Sequence, residues 1–188
     1  MDSRNERILN DIKNGFNPIL DYEKRLLQDL FNNYIGKQQL LANHLKDAMS
    51  QSSETWHDNA PAEVIIKESE LLAKNAEDLS RFLANSTVYC SKIQSHEATL
   101  GSYCKINYID DDEVLWIHLV GSNLVYTNHN STSIVDSTNM QPIDNASIHS
   151  PLAKILIGKH ADLTKILYVG EKLKIRLLAV EACPQDNI

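Results

Sequence analysis

Four side chains able to do chemistry fall within five residues of one another: Glu54, Trp56, His57 and Asp58, inside the polar stretch Ser50-Gln-Ser-Ser-Glu-Thr-Trp-His-Asp-Asn-Ala-Pro61. If the stretch is helical, the spacing of Glu54 and Asp58 places both carboxylates on one face. His57 beside them has the one side chain whose ordinary titration lies near neutrality, so it suits a ligand or a base. A simpler reading stands next to this one. Asp58 or Asn59 caps the helix that opens with Pro61, Trp56 staples its first turn, and His57 is an exposed, solvated side chain.

The elements on either side determine what such a cluster is for. Leu20, Leu27, Tyr34, Leu41 and Ala48 recur every seven residues, with Leu30, Phe31 and Leu45 between them, and Ile65, Leu72 and Leu79 repeat the period with Ala76 and Leu83. These are the seams of two helices in coiled-coil register, and a short polar link makes them an antiparallel hairpin. Asn17-Pro18 reads as the start of the first helix, Asn as cap and Pro at the first helical position, with the helix running to about Met49. Such a helix is about 50 Å long at about 1.5 Å per residue, more than a small core requires, so the hairpin is expected to project. Residues 50–61 are then its tip, and the paired carboxylates are held out on the end of a rod. Ahead of it, Ile8, Leu9, Ile12 and Phe16 at helical spacing predict a short helix folded on the hairpin base or on the rest of the chain.

Beyond Asn85 the grammar changes to short alternating runs. Thr87–Tyr89, Gly101–Tyr108, Val114–Val120, Leu124–Thr127, Thr164–Tyr168 and Leu173–Val180 read as strands, with a hairpin turn at Asp110–Glu113. Ser150-Pro-Leu-Ala-Lys-Ile-Leu-Ile-Gly158 reads as one short helix with a Ser cap, Pro at its first position and Gly at its end. The chain is thus α+β, with an N-terminal helical domain over residues 1–85 and a C-terminal antiparallel sheet domain with one short helix over 86–188.

Composition narrows the possibilities. The 188 residues are 43% hydrophobic and 23% charged, with a net charge of -7, and only 6 Gly and 5 Pro. No apolar run is long enough for a membrane span and the N-terminus lacks a secretory core, so a cytoplasmic protein with no membrane partner is expected. The acidic balance argues against direct wrapping of nucleic acid, so any action on DNA or RNA passes through another protein. Cys90, Cys104 and Cys183 give neither a disulfide framework nor a zinc pair. His118, alternating in an apolar strand, reads as a surface residue, and Asp110–Glu113 as a solvated turn without the ligand spacing of a calcium loop. No self-sufficient catalytic constellation occurs, so the chain is read as an accessory protein and not an enzyme.

Ile148-His-Ser-Pro-Leu-Ala-Lys-Ile-Leu-Ile-Gly-Lys159 resembles the V-N-S-P-[LI]-A-x-x-L-I-G-K signature of the GreA/GreB transcript cleavage factors, and Asp58-Asn59-Ala60 resembles the E-N-A of their tip motif G-D-L-K-E-N-A-E-Y. The resemblance covers about residues 18–181. It implies an FKBP-like C-terminal domain that docks on the rim of the secondary channel of bacterial RNA polymerase, through positions matching Ser150, Pro151, Leu152 and Asp136. It also implies a coiled coil threaded toward the active site, where tip acids help to hold Mg²⁺ and a water that cleaves the 3′ end of backtracked RNA. On this alignment Asp58 takes the tip Glu position and Thr55 the tip Asp position, with Glu54 one residue out of register. Trp56, His57 and Asn59 complete the tip. Two alternatives accompany this reading: a non-cleaving family member that occupies the channel and inhibits or modulates transcription, and a peptidyl-prolyl isomerase, for which the sheet domain has few aromatics. A monomer that binds no cofactor alone and shares Mg²⁺ with the polymerase is the form that the resemblance implies.

Overall fold

The computed structural model describes residues 3–51, 60–91, 96–122, 143–170 and 173–182. They belong to two compact units, one formed by Met1–Lys24 with Ser86–Ile188 and the other by Arg25–Asn85. The first 24 residues, assigned above to the helical domain, therefore group with the strands. The reason is a short parallel pair: β1 (Asn17–Leu20) runs beside β2 (Ser86–Tyr89), from Asn17 against Ser86 to Leu20 against Tyr89. Asn17-Pro18 accordingly opens a strand where a helix start was expected. Pro lacks the N–H that a ladder would use, so it is tolerated at the beginning of an edge strand. Ile19 and Leu20 are fully buried behind it.

Helix α1 (Arg4–Lys13) precedes this pair and begins with a complete capping box. The Ser3 hydroxyl accepts from the Glu6 N–H, and the Glu6 carboxylate accepts from the Ser3 N–H. Two orphan donors are thereby satisfied reciprocally. α1 is joined to the strands by polar links as well as by buried Ile8. Arg4 donates to the Cys90 carbonyl at 2.8 Å, and its guanidinium lies 5.3 Å from the centre of the Tyr89 ring. Tyr89 in turn donates to the Asp11 carboxylate at 2.7 Å.

A five-stranded sheet forms the body of this unit. Its order is β5 (Ile143–Ser147), β4 (Glu113–Val120), β3 (Tyr103–Tyr108), β7 (Leu173–Glu181), β6 (Leu167–Val169). β3 pairs antiparallel with β4 and β7, and β6 antiparallel with β7. β5, however, runs parallel to β4, so the sheet is mixed and not wholly antiparallel as expected. The connection through residues 121–142 is long enough to permit this, because parallel neighbours need a crossover of about a dozen residues or more. β6 starts at Leu167 and not at Thr164, because Thr164 is committed to a turn with Asp162. The expected strand Leu124–Thr127 lies outside the described residues. The short helix α4 (Pro151–Leu156) lays Ala153 and Leu156 on a core of Ala98, Cys104, Ile106, Ile117, Leu119, Leu167, Ile175 and Leu177. Each fully buried Leu or Ile contributes about 1.5–3 kcal/mol.

The second unit holds most of α2 (Asp21–Gln51) and α3 (Ala60–Ala84). The seven-residue seams are where burial falls. Leu27, Leu72, Ala76 and Leu79 are buried, while Tyr34, Leu41, Leu45, Ile65 and Leu83 are half-buried. Leu20, counted above as the first seam position, instead closes β1. Gln38 reaches across to the Ser69 carbonyl at 3.5 Å.

Candidate functional site

Of the residues singled out by sequence, Glu54, Thr55, Trp56, His57, Asp58, Asn59 and Asp136 lie outside the described residues. Ser150, Pro151 and Leu152 are described and stand together at the start of α4. There the motif's residue types have mechanical roles. Ser150 is extended (φ -67, ψ 151), and its hydroxyl accepts from the Ala153 N–H at 3.1 Å. Pro151 occupies the first helical position, where no N–H is required. The turn before it is closed by the Ser150 N–H donating to the Ser147 carbonyl at 2.8 Å. At the far end, Gly158 takes the left-handed conformation (φ +75), which a residue without Cβ adopts freely.

The same packing decides what this edge presents. Ala153 and Leu156 face the core, which leaves Pro151 and Lys154 exposed and Ser150 and Leu152 half-buried. Ile148, fully buried and donating its N–H to the Val120 carbonyl at 2.7 Å, fixes the segment against the sheet. His149 is held below the ordinary imidazole range, first by burial and then by the Lys154 charge. The exposed edge is therefore a rigid Ser-Pro-Leu corner next to a neutral imidazole and the exposed Lys154 ammonium.

Two other groups differ from expectation or were not anticipated. His118 is not at the surface: only 1% is exposed, its ring stacks on Tyr103 at 4.4 Å with planes 6° apart, and burial pushes it down to about 4. It is a neutral core residue. Glu23, which the sequence reading passed over, is fully buried at the first turn of α2. Its carboxylate accepts from Leu20 N–H at 2.7 Å, from Gly121 N–H at 3.0 Å and from Ser122 N–H at 3.3 Å. Burial pushes its pKa up to about 7, against the downward pull of those three donors. The signal was there in principle, since an acid at the third helical position reaching back to the cap N–H is half of a capping box. Starting the helix at Pro18 placed Glu23 a turn too deep for that role.

Among the described residues no group of three or more His, Cys, Asp or Glu is placed to hold a metal ion, and no helix is long and apolar enough to cross a membrane. No protein-family model matches the chain, and no curated protein matches it. Solved structures do. GreA factor homolog 1 of Thermus thermophilus is 18% identical, covering 88% of this chain and 99% of its own, with a TM-score of 0.38. The corresponding protein of Thermus aquaticus is 15% identical over 88% and 97%, with a TM-score of 0.40. The GreA/GreB elongation factor of Nitrosomonas europaea is 16% identical over 88% and 97%, with a TM-score of 0.27.

Proposed function

We propose that this chain is a Gre-type accessory factor of bacterial RNA polymerase, cytoplasmic and monomeric, that docks at the secondary channel and stimulates cleavage of backtracked RNA. The observation that carries this reading is the Ser150-Pro151-Leu152 corner. The motif that resembles the family signature is folded as a capped, proline-started helix on a sheet, and its Ser-Pro edge is left accessible. The two-helix unit, with seams at seven-residue spacing, supplies the second half of the expected architecture.

In this reading Ser150, Pro151 and Leu152, with Asp136, hold the factor on the channel rim, and Asp58 with Glu54 supplies carboxylates at the polymerase active site. Their oxygen donors are of the type that suits a hard cation such as Mg²⁺. When bound, that cation lowers the pKa of the attacking water and stabilises charge on the phosphate. Glu54, one residue out of register, has one methylene more than Asp with which to compensate. The polymerase remains the enzyme. Thr55 at the family's tip Asp position favours a second reading, in which the factor occupies the channel and slows transcription without cleaving.

The test is a stalled, backtracked elongation complex. Added protein is expected to shorten the RNA from its 3′ end, and Asp58→Asn or Glu54→Gln to lower that rate by about tenfold or more. Intact RNA with slowed elongation would move the assignment to the inhibitory reading. Failure to bind polymerase at all would end both.

A further inference from the structure

Within the sheet-bearing unit, α1 reaches the far end of α4, a contact that the polymerase reading does not use. We propose that α1 is a releasable clasp on this end of α4, and that only the clasped form presents Ser150-Pro151-Leu152 for docking. The clasp stands on geometry alone, and its part in docking rests on the function proposed above. Asn5, only 8% exposed, donates its amide to Glu97 Oε2 at 3.0 Å. The other oxygen of that carboxylate, Oε1, lies 3.2 Å from His160 Nε2. Glu97 thus joins α1 to the residues that follow α4. The backbone repeats the join beside it, with Gly158 N–H donating to the Ala98 carbonyl and Ala98 N–H to the Lys159 carbonyl, both at 2.8 Å. Gly158 also lies against α1 directly, since a Cβ there would stand 3.9 Å from the Asn5 amide nitrogen.

A helix of six residues has no stability of its own, because nucleation costs more than so few hydrogen bonds return. What holds its two ends therefore sets α4. Its start is fixed by the Ser150 cap and by Ile148 on the Val120 carbonyl. Its far end is fixed on residues 97 and 98, and α1 holds that segment from both sides. Arg4 donates ahead of it to the Cys90 carbonyl at 2.8 Å and behind it to the Leu100 carbonyl at 3.4 Å. Unlike a core element, α1 is built to let go. Ile8 is its one buried apolar residue, Ile12 is half-buried, Leu9 is 42% exposed, and the bond from Arg4 to Cys90 is open to solvent. On release these polar groups exchange protein partners for water, so the open form leaves no desolvated donor in α1. At ten residues, a helix away from its partners is shorter than the length that persists in water. Release and unfolding of the clasp are then one event, a local opening that precedes global unfolding.

The test is native-state hydrogen exchange on the full chain, read at single amides and without polymerase. Ile8→Asp, which drives α1 off its seat, is expected to speed exchange at Ala98 and Gly158 by about tenfold or more. Leu119 and Ile109, bonded to the Ser102 and Lys174 carbonyls, are expected to exchange as before. Asn5→Leu cuts only the link to Glu97. It is expected to speed the same two amides by about threefold while Arg7 N–H, bonded to the Ser3 carbonyl, keeps its protection. Leu9→Asp, at an exposed position of the same helix, is expected to change none of them. Unaltered exchange at Ala98 and Gly158 in Ile8→Asp would overturn the clasp. So would an equal rise at Leu119 and Ile109, or a variant that no longer folds, because α1 would then be part of the core. Docking is read separately, as polymerase binding by Ile8→Asp, which is expected to weaken about tenfold because apparent affinity falls with the fraction left clasped. Unchanged binding alongside faster exchange would overturn the part in docking. A wild-type chain that binds no polymerase would end the function proposed above and leave the exchange result, and with it the clasp, standing.

Discussion

The two units are held together by different physics. In the sheet-bearing unit, polar groups taken out of water are fastened to named partners: Glu23 to three backbone N–H groups, Arg4 to the Cys90 carbonyl, Tyr89 to Asp11. In the two-helix unit, burial follows an apolar seam, and the Arg81 ion pairs with Glu77 and Asp78 lie at the surface. Fastened polar groups admit one arrangement, because each alternative leaves a desolvated donor or acceptor unpaired. A seam constrains only its own face and leaves the rest of each helix free to vary. The Ser150-Pro151-Leu152 corner lies on the first kind of structure.

The largest effect that this contrast predicts is at Gly121. A Cβ there would meet the Pro18 carbonyl oxygen at 2.4 Å, the Ile19 Cα at 2.7 Å and a Glu23 oxygen at 2.8 Å. Two of those atoms are backbone and cannot turn aside. Gly121→Ala is expected to destabilise the sheet-bearing unit by about 3 kcal/mol or more, read from urea unfolding followed by Trp116 fluorescence in a Trp56→Phe background. A loss under about 1 kcal/mol would mean that β1 and the β4 end are loosely joined, and the contrast between units would fail.

Glu23 gives the next effect, and its sign follows from linkage. Its folded pKa, about 7, lies above the ordinary value of 4.5, so folding favours the protonated form. The contribution is fully present below pH 4.5 and is lost as pH rises through about 7. Over that window the unit is expected to lose up to about 3 kcal/mol from this group. Glu23→Gln, which is neutral throughout, removes that dependence. The measurement is the urea midpoint against pH for both proteins, and parallel curves would show that the carboxyl does not carry the charge-burial cost.

How much of this could be read in the chain depends on range. The seven-residue seams from Leu27 on and the Ser150-Pro151 cap are local patterns, and they appear in the structure where periodicity and capping chemistry place them, whereas of the N-terminal set Ile8, Leu9, Ile12 and Phe16 only Ile8 is buried and Phe16 lies beyond the helix. What was not legible is long-range. Pro18 is chemically suited both to a helix start and to an edge strand, and only the partner strand Ser86–Tyr89, far along the chain, decides between them. The same holds for β5, whose direction depends on β4, and for His118, whose alternation in β4 reveals the period but not that both faces of the sheet there are covered. Glu23 was missed for a related reason, since its donors Gly121 and Ser122 come from about a hundred residues away. The candidate tip residues were legible as chemistry only.

A smaller effect separates cap from surface. Ser150→Ala removes one hydrogen bond, to the Ala153 N–H, and is expected to cost about 1 kcal/mol. The same substitution should weaken polymerase binding if the corner is the docking edge, whereas Ser150→Asp, which restores a capping acceptor but alters the surface, should recover stability and not binding. Recovery of both would make the residue a cap alone.

The smallest expected effect is in the two-helix unit, and it is the sharpest check of the contrast. Arg81 lies 2.8 Å from Glu77 and 3.7 Å from Asp78, which by distance alone is the tightest ion-pair cluster in the described chain. All three side chains are more than half exposed, at 64%, 71% and 58%. Water and salt screen such pairs, and ordering two long side chains offsets much of the attraction, so Arg81→Ala is expected to cost only a few tenths of a kcal/mol, about 0.3. Far-UV circular dichroism of thermal unfolding at low and high salt measures it. A loss above about 1 kcal/mol would show that the hairpin too is held by specific polar contacts, and the distinction between a fastened unit and a seamed one would no longer stand.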